Sequence, residues 1–211
     1  MYTWSRRLIM WVLVGSLLLV GHAIRAEAGE PLDKIRVTVD DVMDVIANKN
    51  LDEQQRRTQI RQAVLKRFGF DEMAQRSLAQ HWRTLTPQQQ KEFVELFTDL
   101  LERSYINRIA SYRGGRQGVR YTKEDISGDN ATVDTEIRSE RGEPAAVEYR
   151  LLHKDNDWKV YDIIIEGVSL VNNYRTQFNT IIMKDSYAGL MKQMRLKLEQ
   201  ENAASPQKGK G

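Results

Sequence analysis

Trp158-Lys159-Val160-Tyr161-Asp162-Ile163-Ile164-Ile165-Glu166-Gly167-Val168-Ser169-Leu170-Val171 is the stretch on which the fold turns. From Trp158 to Ile165 it is dominated by β-branched and aromatic residues. Val160, Tyr161, Ile163, Ile164 and Ile165 leave neither alternate face polar, which predicts a central strand covered on both sides. Four residues later Ser169 can cap a helix that carries Leu170, Val171, Tyr174, Phe178, Ile181 and Ile182 on one side.

Upstream of this stretch the apolar period is two. Val119–Ile126, Ala131–Arg138 and Ala145–Lys154 read as three further strands. Ala131, Val133, Thr135 and Ile137 oppose Thr132, Asp134, Glu136 and Arg138, and Val147, Tyr149 and Leu151 oppose Glu148 and Arg150. The connections Ser127-Gly128-Asp129-Asn130, Arg141-Gly142-Glu143-Pro144 and Lys154-Asp155-Asn156-Asp157 are short and rich in turn formers. The four strands therefore predict an antiparallel meander with one buried face.

Further upstream the period changes to that of a helix. Asp33–Asn48 spaces Ile35, Val39, Val42, Met43 and Ile46 along one stripe. Asp52 can cap a second helix bearing Ile60, Val64 and Phe68, and Phe70–Trp82 reads as a shorter helical piece. Thr86-Pro87-Gln88-Gln89 combines a capping hydroxyl, a first-position proline and the glutamine of a capping box. The helix it opens carries Phe93, Leu96, Phe97, Leu100, Leu101, Tyr105, Ile109 and Tyr112, and should stop at Gly114-Gly115. Downstream, Asp185 can cap a last helix with Leu190, Met191, Met194 and Leu198. The polar, basic tail 202–211 is expected to be disordered. The expected class is α+β, with helices packed on a curled four-stranded antiparallel sheet. A single domain spans 29–201, with helices over 33–112, the sheet over 116–166 and closing helices over 169–201.

The N-terminus predicts export. Arg6 and Arg7 precede an apolar run from Leu8 to Val20, and Ala26-Glu27-Ala28 offers the small-x-small pattern of a signal peptidase site. The run is too short for a membrane span of about 20 apolar residues and is interrupted by Gly15 and Ser16. Residues 1–28 thus read as a cleaved signal peptide, and the mature chain as periplasmic. The formal charge is +3, from 32 Lys+Arg and 29 Asp+Glu. The leader holds three arginines and one glutamate, which leaves 29 against 28. So small an excess gives no electrostatic footprint for nucleic acid. The chain has no cysteine, which excludes disulfides, thiolate zinc sites and thiol chemistry.

Catalytic constellations are thin. His22, His81 and His153 are isolated, so no metal site is expected. Gly167-Val168-Ser169 lacks the second glycine of a nucleophile elbow. Asp162 and Glu166, at the end of an apolar strand, suit either acid–base work in an apolar pocket or a structural role. The aromatic stripes are more informative. Tyr105, Ile109, Tyr112, Tyr149, Tyr161, Tyr174 and Phe178 all point inward. They fit either a plain core or a cavity between sheet and helices roofed by amphipathic tyrosines, and periodicity alone does not separate the two.

The segment from Trp158 to Val171 resembles the hallmark of the MlaC family of periplasmic phospholipid carriers, also called toluene-tolerance auxiliary components. Tyr174-Arg175-Thr176-Gln177-Phe178, Gly189-Leu190, Phe70-Asp71-Glu72-Met73-Ala74 and Trp82-Arg83-Thr84-Leu85-Thr86-Pro87-Gln88-Gln89 continue the likeness in order. It departs at Leu78-Ala79-Gln80-His81, where the family often has Leu-Gly before the tryptophan, and at Asp185-Ser186, where a glycine is common. A related subgroup is associated with hopanoid lipids.

The resemblance implies a nuclear-transport-factor-like or cystatin-like core with a helical subdomain. It also implies no enzyme activity, no cofactor, and a bound phospholipid as cargo. The cargo would pass between an outer-membrane lipoprotein–porin complex and an inner-membrane ABC transporter, maintaining outer-membrane lipid asymmetry. The carrier is expected to be a monomer with acyl chains in the cavity and the head group exposed. Stripe direction then nominates Tyr105, Ile109, Tyr112, Val147, Tyr149, Leu151, Val160, Ile163, Ile165, Val168, Val171, Tyr174 and Phe178 as lining. The alternatives are a carrier of another, hopanoid-type lipid, an enzyme on the same scaffold using Asp162, and a lipid-free adaptor between envelope complexes.

Overall fold

The computed structural model describes residues 30–138 and 142–204. The expected leader, Arg141 of the second strand connection and the tail beyond Ala204 lie outside the described residues. Among the described residues no helix is long and apolar enough to cross a membrane.

The helices begin where their caps dictate. α1 (Glu30–Ala47) donates the Leu32 amide to Glu124 Oε1 at 2.7 Å, which ties its first turn to the sheet. α2 (Glu53–Arg67) opens on a reciprocal box, with Gln55 N donating to Asp52 Oδ1 at 2.8 Å and Asp52 N to Gln55 Oε1 at 3.0 Å. α3 (Phe70–Leu78) runs into a 3-10 turn, Ala79–Thr84, through a left-handed Ala79. α4 (Pro87–Ala110) opens on the Thr86–Gln89 box and ends just before Ser111. Ser169 accepts from Asn172 N at 3.0 Å to start α5 (Leu170–Asp185). The cap expected at Asp185 is instead supplied one residue later. Asp185 ends α5, Ser186 breaks the helix at φ 95°, and its Oγ accepts from Gly189 N to open α6 (Tyr187–Ala204). That helix carries residues 202–204, placed in the disordered tail by composition, on through its last turn.

β1 (Val119–Ser127), β2 (Asn130–Ile137), β3 (Ala145–Lys154) and β4 (Asp157–Ile165) form the expected meander, and a two-residue β5 (Val168–Ser169) adds a fifth strand. β4 is therefore next to the edge rather than central. It is still covered, because Gly69 N donates to Val160 O at 2.9 Å and β5 pairs with Ile164 and Ile165.

A bulge decides which residues share a face. Leu151 pairs with Val160 but Arg150 with Asp162, so Tyr161 is the extra residue. Before it, Trp158 and Val160 lie on the face of Leu151 and Val133. After it, Ile163 and Ile165 take that face beside Tyr149 and Val147, and Asp162 and Ile164 turn to the other face, against α5.

Three cores result. Phe93, Phe97, Tyr174 and Phe178 centre a helical core of α3–α6, with ring centroids 5.3–5.9 Å apart. Ile35 of α1 packs on Val133, Leu151, Trp158 and Val160 of the sheet. Val42, Ile60 and Ile106 join α1, α2 and α4.

Candidate functional site

Between these three cores lies a cavity of about 400 Å³, within the range of small-ligand sites. One wall is the C-terminal half of α4, with Leu101, Tyr105, Ile109 and Tyr112. The facing wall is the sheet, with Val119, Ile137, Val147, Tyr149, Ile163 and Ile165. α1 closes a third side with Val39, Val42, Met43 and Ile46, and Phe68, Phe70 and Met73 close one end. Many of these apolar side chains are only half-buried although they face inward, so their surfaces line space rather than one another.

The polar groups are few. Burial pushes the Tyr149 hydroxyl up, opposed by a hydrogen bond with Thr135, and burial also raises Tyr112. Both phenols therefore stay neutral at ordinary pH. Tyr112 donates to Arg138 O at 2.8 Å, which pins its ring across the end of the sheet. Thr38, on the α1 wall, accepts from the buried Arg67 Nε at 3.3 Å. Glu102 and Arg108 are the charged side chains on the lining, and the Arg108 guanidinium lies 5.8 Å from the Tyr105 ring centroid. The described residues contain no cluster of three or more metal-ligating side chains.

Seven of the nominated residues line the cavity: Tyr105, Ile109, Tyr112, Val147, Tyr149, Ile163 and Ile165. The other six lie elsewhere. Leu151 and Val160 sit beyond the β4 bulge, fully buried beneath α1. Val171, Tyr174 and Phe178 belong to the helical core, because the inward stripe of α5 faces α3, α4 and α6. Tyr174, whose hydroxyl is pushed up to about 12 chiefly by burial, bonds Ser104 there. Val168 is 61% exposed beyond the left-handed turn at Glu166 and Gly167.

The α1 stripe of Val39, Val42, Met43 and Ile46 is legible as apolar but carries no mark of lining rather than core. Glu102 and Arg108 gave no signal beyond their places beside Tyr105 and Ile109.

Asp162 faces away from the cavity. Its Oδ2 accepts from Ser169 Oγ at 2.6 Å and its Oδ1 from Val171 N at 2.9 Å, so both oxygens hold the start of α5. Glu166 accepts the Ala146 amide. Neither carboxylate is in position to act on a molecule inside the cavity.

Comparison with known proteins returns one picture. The family described as MlaC protein matches residues 36–196. A relative from Haemophilus influenzae, named intermembrane phospholipid transport system binding protein MlaC, is 23% identical over 155 residues, 71% of this chain and 69% of that protein. The toluene tolerance protein ttg2D of Pseudomonas putida is 30% identical over 96 residues, 46% of this chain and 44% of its own. A phospholipid-binding protein from Ralstonia solanacearum, solved in complex with a phospholipid, superposes with a TM-score of 0.73 at 28% identity. That match covers 82% of this chain and 99% of the other.

Proposed function

The chain belongs to the MlaC family, and from that premise we propose that it is a periplasmic carrier that holds the acyl chains of a phospholipid in the cavity between α4 and the sheet. The observation that carries the reading is the lining, apolar on all three sides and closed by neutral phenols. Each methylene moved out of water contributes about 0.8 kcal/mol, so two chains of about 16 carbons would cost more than roughly 20 kcal/mol to carry naked through water. A dry cavity removes most of that barrier.

A bilayer solvates the same chains equally well, so transfer between membrane and carrier is nearly balanced. Direction then comes from partners, which we take to be an inner-membrane ABC transporter and an outer-membrane lipoprotein–porin complex, serving outer-membrane lipid asymmetry. The phospholipid is cargo, the carrier works as a monomer without catalysis, and residues 1–28 are removed on export.

Solvent extraction and native mass spectrometry of the purified protein test the reading. One phospholipid per chain is expected. A lipid-free protein that takes up none from vesicles would overturn it, and recovery of a hopanoid would reassign the cargo.

A further inference from the structure

A second cleft, of about 670 Å³, lies over the same half of α4, flanked by α2 and α6. It meets the apolar cavity at Glu102, Ile106 and Arg108, which line both. The two spaces have opposite chemistry. Where the first is lined by aliphatic and aromatic side chains, the second carries Arg57, Arg61, Arg103 and Lys197 along with Arg108. Glu102 and Glu201 are its carboxylates, so cations outnumber anions by five to two.

Several of these charges are already matched. Arg57 pairs with Glu53, and Arg61 Nε donates to Glu102 Oε2 at 2.5 Å. Arg108 and Lys197 are not matched, since neither has a carboxylate within ion-pair distance among the described residues. On the acidic side, Glu102 Oε1 and Glu201 Oε2 are buried with no hydrogen-bond partner. A buried carboxylate oxygen without a donor is costly. The cleft thus has unmet demand for an anion and, a few side chains away, for a cationic donor.

We propose that this cleft is the head-group site of the cargo and that it selects a glycerophospholipid whose head group carries both a phosphate and an ammonium. The inference rests on the carrier reading above. Arg108 and Lys197 hold the phosphate, the guanidinium offering paired donors and the ammonium a point charge. The head-group ammonium partners the unsatisfied oxygen of Glu102, whose carboxylate turns toward the cleft to meet it. Arg108, stacked toward Tyr105 at the junction, stands where the ligand changes from tail to head.

The test loads the mature protein from vesicles containing equal phosphatidylethanolamine, phosphatidylglycerol and diacylglycerol, and quantifies bound lipid by extraction and mass spectrometry. Phosphatidylethanolamine should exceed diacylglycerol by about tenfold or more. Lys197→Gln and Arg108→Gln should each erase most of that preference. Diacylglycerol uptake in the same samples reports the acyl-chain loading of each variant. Glu102→Gln should bring phosphatidylglycerol level with phosphatidylethanolamine. Equal uptake of all three by the wild type, or a preference that survives Lys197→Gln, overturns the head-group site and leaves the carrier intact. If inorganic phosphate binds as tightly as the lipid and abolishes its preference, the cleft is a soluble-anion site and the proposal fails. Uptake of no lipid at all sinks the carrier reading and this one with it.

Discussion

The hydroxyl of Ser169 donates to Asp162 Oδ2 at 2.6 Å while the same hydroxyl accepts the Asn172 amide, so one strand residue and one cap residue together start α5. Asp162 also takes the Val171 amide at 2.9 Å and is buried. Charge-assisted bonds of this kind contribute roughly 1.5–3 kcal/mol each, and their loss exposes an unsatisfied buried group. Asp162→Asn should therefore lower stability by about 2 kcal/mol, read as a shift of the urea midpoint. Bound lipid per folded chain should not change, because Asp162 faces α5 rather than the cavity. Lipid loss without destabilisation would contradict this assignment.

Acid should loosen the junction of α2 and β4. Burial alone would push the Asp157 carboxyl up, but hydrogen bonds from Lys159 and Arg67 outweigh it and hold it well below the usual carboxylate range. A depressed folded value means its stabilisation is complete above the unfolded pKa, about 4, and is lost as pH falls below that. Arg67 is buried and also donates to Trp158 O and Thr38. Asp157→Asn should cost about 1–3 kcal/mol at pH 7 by leaving that guanidinium short of an anion. Urea midpoints at pH 7 and pH 3 should differ more in the wild type than in the variant.

Most of the helices, the meander and the caps at Asp52, Thr86 and Ser169 were legible because each is set by local chemistry. The side of the cavity was legible on α4 and at Val147 and Tyr149 of β3, where period and burial agree. It failed at Leu151 and Val160, which share the sheet face of Tyr149 and Ile163 but lie further along their strands beneath α1, because a period does not say where along a strand the space gives way to core. It failed on α5 because an inward stripe does not say which neighbour it faces. Tyr174 and Phe178 meet Phe93 and Phe97 instead of the sheet. Glu102 and Arg108 were illegible for a different reason. A charged residue on a helix reads as solvated until the structure brings a second element beside it.

Filling the cavity should separate lipid binding from folding. Val147 sits on the sheet wall opposite Thr135 and Ile165 and is nearly buried. Val147→Trp would project an indole into the space meant for acyl chains. The strain of overpacking is expected to stay within about 1–3 kcal/mol because the ring has a cavity to enter. Extracted lipid should fall to about a tenth of the wild-type amount, an affinity loss of about 1.4 kcal/mol or more. Far-UV circular dichroism should be unchanged. Full lipid content in a folded Val147→Trp protein would place the chains elsewhere.

Tyr112 lines the cavity and spans it to the end of β2 only because two glycines make room. Its hydroxyl donates to Arg138 O at 2.8 Å, and a Cβ on Gly114 or Gly118 would collide with that hydroxyl and with the same carbonyl. Tyr112→Phe should cost about 1 kcal/mol, the net worth of one hydrogen bond, and leave the ring in place. Gly114→Ala should cost about 1–3 kcal/mol, because backbone rather than a flexible side chain must move. The two changes share a contact, so they should not add. In the Tyr112→Phe background the hydroxyl collision is gone but those with the ring's Cζ and the Arg138 carbonyl remain, and the penalty of Gly114→Ala should shrink without vanishing. Urea unfolding of the wild type, both single variants and the double variant measures this coupling. Strict additivity would show that the loop moves independently of Tyr112.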